Sequence, residues 1–330
     1  MDIALDFFAA FARQLQSPTL AFLLGGMAVA ALGSRLEIPD AVYRFIVVVL
    51  MLRIGLGAGI SVREADLSEL VLPALAASVL GVVIVLIGRV TLAPLPGLRP
   101  EDGIATAGLF GAVSASTLAA AMVLMEEDGM AFEPWVPALY PFMDIPALIT
   151  AIVLAQLARS RGGPRPPIGA IVADSLRGSA LSALGLGLAL GIVARPDAVY
   201  ADFYDPLFRG FLSVLMLVMG MEAYARLAEL RRVAHVYAVY GVTAPLVHGA
   251  LGFALGYAAH LVTGFSPGGV VLLAVMAASS SDISGPPTLR AAIPSANPAA
   301  YVGASTSIGT PVALLSIPLW IALADVVFTP

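Results

Sequence analysis

Residues able to handle a small ion are concentrated in two places in this chain. Two carboxylates, Asp144 in YPFMDIPALI and Asp282 in SSSDISG, stand inside apolar runs. Hydroxyls cluster in two stretches: Ser114, Ser116 and Thr117 in one, and Ser279, Ser280, Ser281 and Ser284, around Asp282, in the other. Gly108 and Gly111 precede the first cluster, and Gly285, Pro286 and Pro287 close the second. Within hydrocarbon, helix breakers are tolerated only where the freed backbone groups meet protein, water or a ligand. The second half of a broken helix presents N–H groups of partial positive charge, which suit an anion. No arginine stands within either stretch, which favours a small, weakly held anion. The anion site is therefore expected from Gly111, Ala112, Val113, Ser114, Ser116, Thr117, Ser280, Ser281 and Ser284. A mid-membrane carboxylate costs at least about 2.5 kcal/mol on insertion scales and needs a partner. Carboxylate, hydroxyl and carbonyl oxygens suit a hard cation such as sodium. The expected cation ligands are Asp144, Asp282, Ser279, Thr306 and Thr310.

Each signal has a plainer reading. Small residues also let membrane helices pack closely, and the acids could make structural hydrogen bonds or pair with Arg290 or Arg53. Other chemistries have less support. Cysteine is absent, and His235, His248 and His260 show no metal-ligand spacing. Gly303-Ala304-Ser305 faintly resembles an intramembrane serine protease motif, for which His248 would have to supply the base. Lysine is also absent, the net charge is −5, and no basic cluster points to nucleic acid.

These residues must be positioned by membrane helices. Only 12% of the 330 residues are charged and 59% are hydrophobic, against roughly 25% charged in soluble domains. A span needs about 20 apolar residues. The apolar runs predict ten spans, near 18–35, 40–60, 69–93, 103–126, 135–158, 178–195, 207–226, 234–263, 268–292 and 299–327. Gly241, Pro245 and Gly252 predict a kink or bend in the eighth. The acidic N-terminus lacks a basic leader region and reads as a retained amphipathic lead-in.

PDAVY occurs at 39–43 and 196–200, each time followed by VLML, at 49–52 and 214–217. In the same order, 108–122 falls opposite 276–290, and 140–152 opposite 305–317. The chain therefore divides into 1–158, a linker at 159–177, and 178–330. Five spans per half force the halves to enter the membrane from opposite sides, an inverted repeat of the kind secondary transporters use. With the N-terminus outside, twelve arginines fall on inner connections and four (Arg13, Arg63, Arg195, Arg209) outside. The excess of arginine on cytoplasmic loops places both termini outside.

SSSDISGPPTLRAAIPSANPAAYVGASTSIGTP, ALYPFMDIPALITAI, FYDPLFRGFLSVLMLVMGMEA and QLQSPTLAFLLGGM closely resemble the sodium-dependent bicarbonate transporters of the cyanobacterial SbtA type, over nearly the whole chain. The resemblance implies an all-α fold of ten helices in two inverted halves, with the fourth and ninth interrupted. It implies sodium-driven bicarbonate import at an inner membrane, for inorganic-carbon accumulation, by a homotrimer that needs no organic cofactor and is no enzyme. Spans one, two, six and seven would form a gate, and the others a mobile core. The bicarbonate and sodium sites would lie at 108–117 and 279–287, with Asp144 nearby. Members can carry a longer polar insertion between spans five and six, and a PII-like regulator binds from that side. The short linker here puts any linker-dependent regulation in doubt. The residues alone leave open a symporter of another small anion, or a cation–proton antiporter.

Overall fold

A computed structural model describes residues 18–63, 67–158, 169, 173, 176–227, 235–282 and 285–328. The N-terminal lead-in, most of the 159–177 linker and Ser284 lie outside the described residues. Among the described residues there are helices and no strands. Seven helical stretches there are long and apolar enough to cross a membrane. Three further apolar helices are shorter.

The principal helices are α1 (Pro18–Ala31), α2 (Asp40–Val62), α3 (Leu67–Thr91), α4 (Pro100–Gly111), α5 (Ala115–Asp128), α6 (Tyr140–Ala158), α7 (Ser179–Val193), α8 (Asp205–Leu227), α9 (His235–Thr263), α10 (Pro267–Ala278), α11 (Gly285–Ala292) and α12 (Thr310–Phe328). Local chemistry sets their ends. Pro100 and Pro267 sit at the first helical positions of α4 and α10, where a missing N–H costs nothing. Ser266 caps α10 by accepting the Gly269 N–H at 2.9 Å. Gly129, at φ 75°, stops α5 in the left-handed conformation that glycine adopts without strain. The bend expected in the eighth span takes no break: α9 is helical throughout, with Pro245 inside it. Gly241 and Gly252 instead admit close neighbours, Ile308 and the Ala304 carbonyl at one, Ala277 and the Leu273 carbonyl at the other.

The helices pack as two sets. In the first, α2 lies against α7 and α1 against α8. The α2–α7 seam is built from glycines four apart, Gly55 and Gly59 facing Gly187 and Gly191. A Cβ on any of the four would strike backbone of the partner helix, 2.6 Å from the Leu52 carbonyl oxygen at Gly187 and 2.6 Å from that of Leu56 at Gly191. Lipid tails are as apolar as leucine, so only backbones that approach this closely gain packing over lipid. Gly26 and Gly220 make the corresponding approach between α1 and α8. In the second set, α3, α4 and α6 pack on one another, as do α9, α10 and α12.

Two carboxylates tie the ends of the second set together. Glu133 accepts the Ser266 N–H at 2.8 Å and its hydroxyl at 2.6 Å, joining the connection after α5 to the start of α10. Asp102, near the start of α4, accepts the Asn297 N–H at 2.7 Å and the Arg99 guanidinium at 2.9 and 3.1 Å. Each carboxylate satisfies backbone at a chain reversal that the helices leave unpaired.

Candidate functional site

The fourth and ninth expected spans are both interrupted. α4 ends at Gly111 and α5 begins at Ala115, while α10 ends at Ala278 and α11 begins at Gly285. The two unwound segments touch. The Ser114 N–H donates to Ser279 Oγ at 3.0 Å, and the Ser281 N–H donates to the Leu109 carbonyl at 2.8 Å. Ser116 Oγ donates to Asp282 at 2.7 Å, joining the first turn of α5 to the second unwound segment.

Side chains hold this crossing open. Ser114 is the N-cap of α5: its hydroxyl accepts the Thr117 N–H at 3.2 Å and the Thr117 hydroxyl at 3.0 Å, and meets Ser116 Oγ at 2.9 Å. Ser281 Oγ accepts the Gly285 N–H at 2.9 Å, one turn before α11. Asp144 reaches from near the start of α6 to accept the Val113 N–H at 3.0 Å. The Ala112 N–H returns to the Gly108 carbonyl at 3.1 Å.

An α-helix leaves its first N–H groups without intrahelical acceptors. At α5 the Ser114 N–H goes to Ser279 and the Thr117 N–H to Ser114. Among the described residues, those of Ala115 and Ser116 have no acceptor. Ser114, Ser116, Thr117, Ser279, Ser280 and Ser281 are at most 1% exposed, so any anion here would be out of bulk water. There its attraction to N–H dipoles is strongest.

A third segment closes the site. Gly303–Gly309 forms a π-type turn ahead of α12. Ser305 Oγ donates to the Ser281 carbonyl at 3.2 Å, and the Ser305 carbonyl accepts Ser280 Oγ at 3.2 Å and Thr310 Oγ1 at 3.3 Å. Phe110 and Ser280 crowd Gly309, where a Cβ would come within 2.6 and 3.0 Å of them. Neither Ser305 nor Phe110 was expected among the site residues. Ser305 stood out in the sequence only as a possible nucleophile, yet its hydroxyl is spent on a carbonyl. His248 faces the Phe110 and Tyr240 rings instead.

The expected anion residues from Ala112 to Thr117, with Ser280 and Ser281, gather at the crossing. Gly111 lies at its edge, where packing forbids a side chain: a Cβ would stand 2.7 Å from Val85 and 2.9 Å from the Gly81 carbonyl. Gly108 is likewise closed by Ala151 at 2.6 Å. For these two glycines, helix packing accounts for the residue type. The expected cation residues divide. Ser279 and Asp282 meet Ser114 and Ser116, and Thr310 joins Ser280 and Ser305. Among the described contacts, Asp144 bonds to none of the other four. It is fully buried, and its second oxygen has no partner there; nor has Thr306 Oγ1. Arg53 is committed elsewhere, 2.5 Å from Asp205, so it pairs with neither site acid. Among the described residues, no three His, Cys, Asp or Glu side chains converge as a metal cluster.

A search of curated proteins returns no match. The family model described as the Na+-dependent bicarbonate transporter superfamily matches residues 18–325. That match spans both interruptions and reaches into every helix named above, and with seven long apolar helices it makes this a multi-pass membrane transporter and no enzyme. The chain belongs to the Na+-dependent bicarbonate transporter superfamily.

Proposed function

We propose that this chain imports bicarbonate with sodium by alternating access, one set of helices moving against the other. The observation that carries the reading is the contact between the two unwound segments, where Ser114 N–H meets Ser279 Oγ and Ser116 meets Asp282. Bicarbonate binds at the N–H groups of Ala115 and Ser116 and at the hydroxyls around them. The proposed ligand region is Gly111, Ala112, Val113, Ser114, Ser116 and Thr117 with Ser280, Ser281 and Ser284. Sodium is cargo as well as driver, held by Asp144, Asp282, Ser279, Thr306 and Thr310. The unpartnered oxygens of Asp144 and Thr306 favour this assignment, because a buried oxygen without a partner is costly and a cation would satisfy it.

Coupling follows from the Ser116–Asp282 bond. Asp282 holds the hydroxyl that bicarbonate would use. A sodium ion that draws off Asp282 releases Ser116 and places positive charge beside the anion site. A tenfold sodium gradient supplies about 1.4 kcal/mol per ion, equivalent to a tenfold bicarbonate gradient at one-to-one coupling.

The packing supports an inverted ten-span repeat. Partner choice is the same in both halves: α2 with α7 and α1 with α8, then α3 with α4 and α6, matched by α9 with α10 and α12. The carboxylate ties repeat this pattern, linking the connection after α5 to the start of α10 and the connection after α11 to the start of α4. The α1, α2, α7 and α8 set is the gate, and the remainder is the moving core. We place the protein in a bacterial inner membrane with both termini outside, as a homotrimer serving inorganic-carbon accumulation and open to a PII-like regulator on the inner face.

Labelled bicarbonate uptake into proteoliposomes, with and without a sodium gradient, tests the reading. Sodium-stimulated accumulation is expected. Uptake that ignores sodium would reject it, and accumulation of another small anion in preference to bicarbonate would change the substrate.

A further inference from the structure

Beyond the crossing, a cavity of about 550 Å³ opens between the two helix sets. Arg53, Ala58 and Ser61 of α2 form one wall, and Met122 and Glu126 of α5 face them. Charged groups sit unevenly across this seam. On the gate side, Arg53 is fixed: its side chain is 10% exposed, 2.5 Å from Asp205 and over the Phe208 ring at 4.1 Å. Its Nε–H has no partner among the described residues. Across the seam the contacts are looser. Glu126 stands 3.9 Å from Arg53 and 3.4 Å from Arg209 of α8, and is 35% exposed. Contacts this long and this exposed contribute little to stability. Glu126 can therefore leave the two arginines without unfolding anything, and Arg53 keeps Asp205 when it does.

Glu126 ends in a carboxylate: a planar O–C–O group carrying one negative charge. Bicarbonate presents the same group, and the arginine fork accepts it in the same geometry. We infer that the cavity is an antechamber where bicarbonate first docks at Arg53 in its wall, and that Glu126 is a tethered stand-in occupying that place, in reach of Arg209 behind the wall, until the anion displaces it. The exchange also releases Glu126 from both gate arginines, so arrival of the anion loosens the core. This inference rests on the proposed transport function for the identity of the anion, but the docking place itself does not.

The chain contains no cysteine, so a single introduced thiol reports on the cavity alone. Ser61→Cys is nearly isosteric and lines the cavity. On the purified full chain it should react with both an anionic and a cationic methanethiosulfonate of similar size. Adding Glu126→Gln should raise the anionic-to-cationic rate ratio about sevenfold, because one charge removed within roughly 6–8 Å in water changes each rate about 2.7-fold and in opposite senses. Adding Arg209→Gln should lower it by a similar factor. In uptake assays, Glu126→Gln should lower the bicarbonate KM and Arg209→Gln should raise it. A Ser61→Cys thiol that reacts with neither reagent, or a rate ratio equal in all three backgrounds, overturns the antechamber. KM values unmoved in both variants overturn the role of Glu126 as a stand-in. If the protein takes up no bicarbonate at all, the transport reading fails, while the labelling ratio still decides whether an anion site exists.

Discussion

Asp144 and Asp282 are both acids at the crossing, but they do different work, and substitution separates them. Asp144 already satisfies the Val113 N–H through one oxygen. Asparagine would keep that acceptor and remove the charge. Asp144→Asn should therefore remain folded, with a melting temperature within a few degrees of the parent, while the sodium concentration for half-maximal uptake rises at least about tenfold. That factor is about 1.4 kcal/mol, the low end for a charge-assisted contact. A variant with unchanged sodium dependence would reduce Asp144 to a structural acceptor. Asp282→Ala removes the partner of Ser116 and should abolish sodium-dependent uptake; if isothermal titration finds sodium affinity retained, Asp282 positions the hydroxyl and does not hold the ion. Ser114→Ala strips α5 of its N-cap, at a cost of about 1 kcal/mol. Both acids were legible in the sequence because a carboxylate in an apolar run is rare. Ser305 was not: its role is a hydroxyl turned to a carbonyl 24 residues away in the chain, and nothing local marks it.

At the scale of helices, the same small residues serve two ends, and only packing distinguishes them. Gly285 and the prolines beside it are the visible cause of the second interruption. The first has no proline; Ser114 makes it by capping α5, and Asp144 and Ser279 absorb the backbone N–H groups it frees. Gly108 and Gly111 belong to the approach of α4 to α6 and α3. The glycine seam of α2 with α7 passed unread, because its two halves lie more than a hundred residues apart and look like ordinary membrane composition. It carries a sharp expectation. Gly55→Leu places a branched side chain on the Leu184 carbonyl, and neither backbone has room to retreat without losing the seam. The variant should be recovered as unfolded or aggregated protein, with no monodisperse peak on size exclusion in mild detergent. Leu186→Ala on α7, at a side chain 54% exposed, should leave the peak unchanged.

For the molecule as a whole, function depends on orientation, since a bicarbonate importer must meet its anion on the outer face. The cavity, Glu126 and Asp197 lie at one end of the helices, and the 32–39 turn between α1 and α2 lies at the other. The orientation proposed from the arginine distribution has the cavity end outside. Two exposed positions report on this directly. Ala194 follows α7 at the cavity end, and Glu37 sits in the opposite turn. Because no native thiol competes, each can carry the only cysteine in the protein. In intact cells a membrane-impermeant maleimide should label Ala194→Cys fully and Glu37→Cys only after permeabilisation. The reverse pattern would place the cavity in the cytoplasm. Inward passage by the proposed route would then begin at the far side of the crossing, and the arginine pair would receive the anion on its way out.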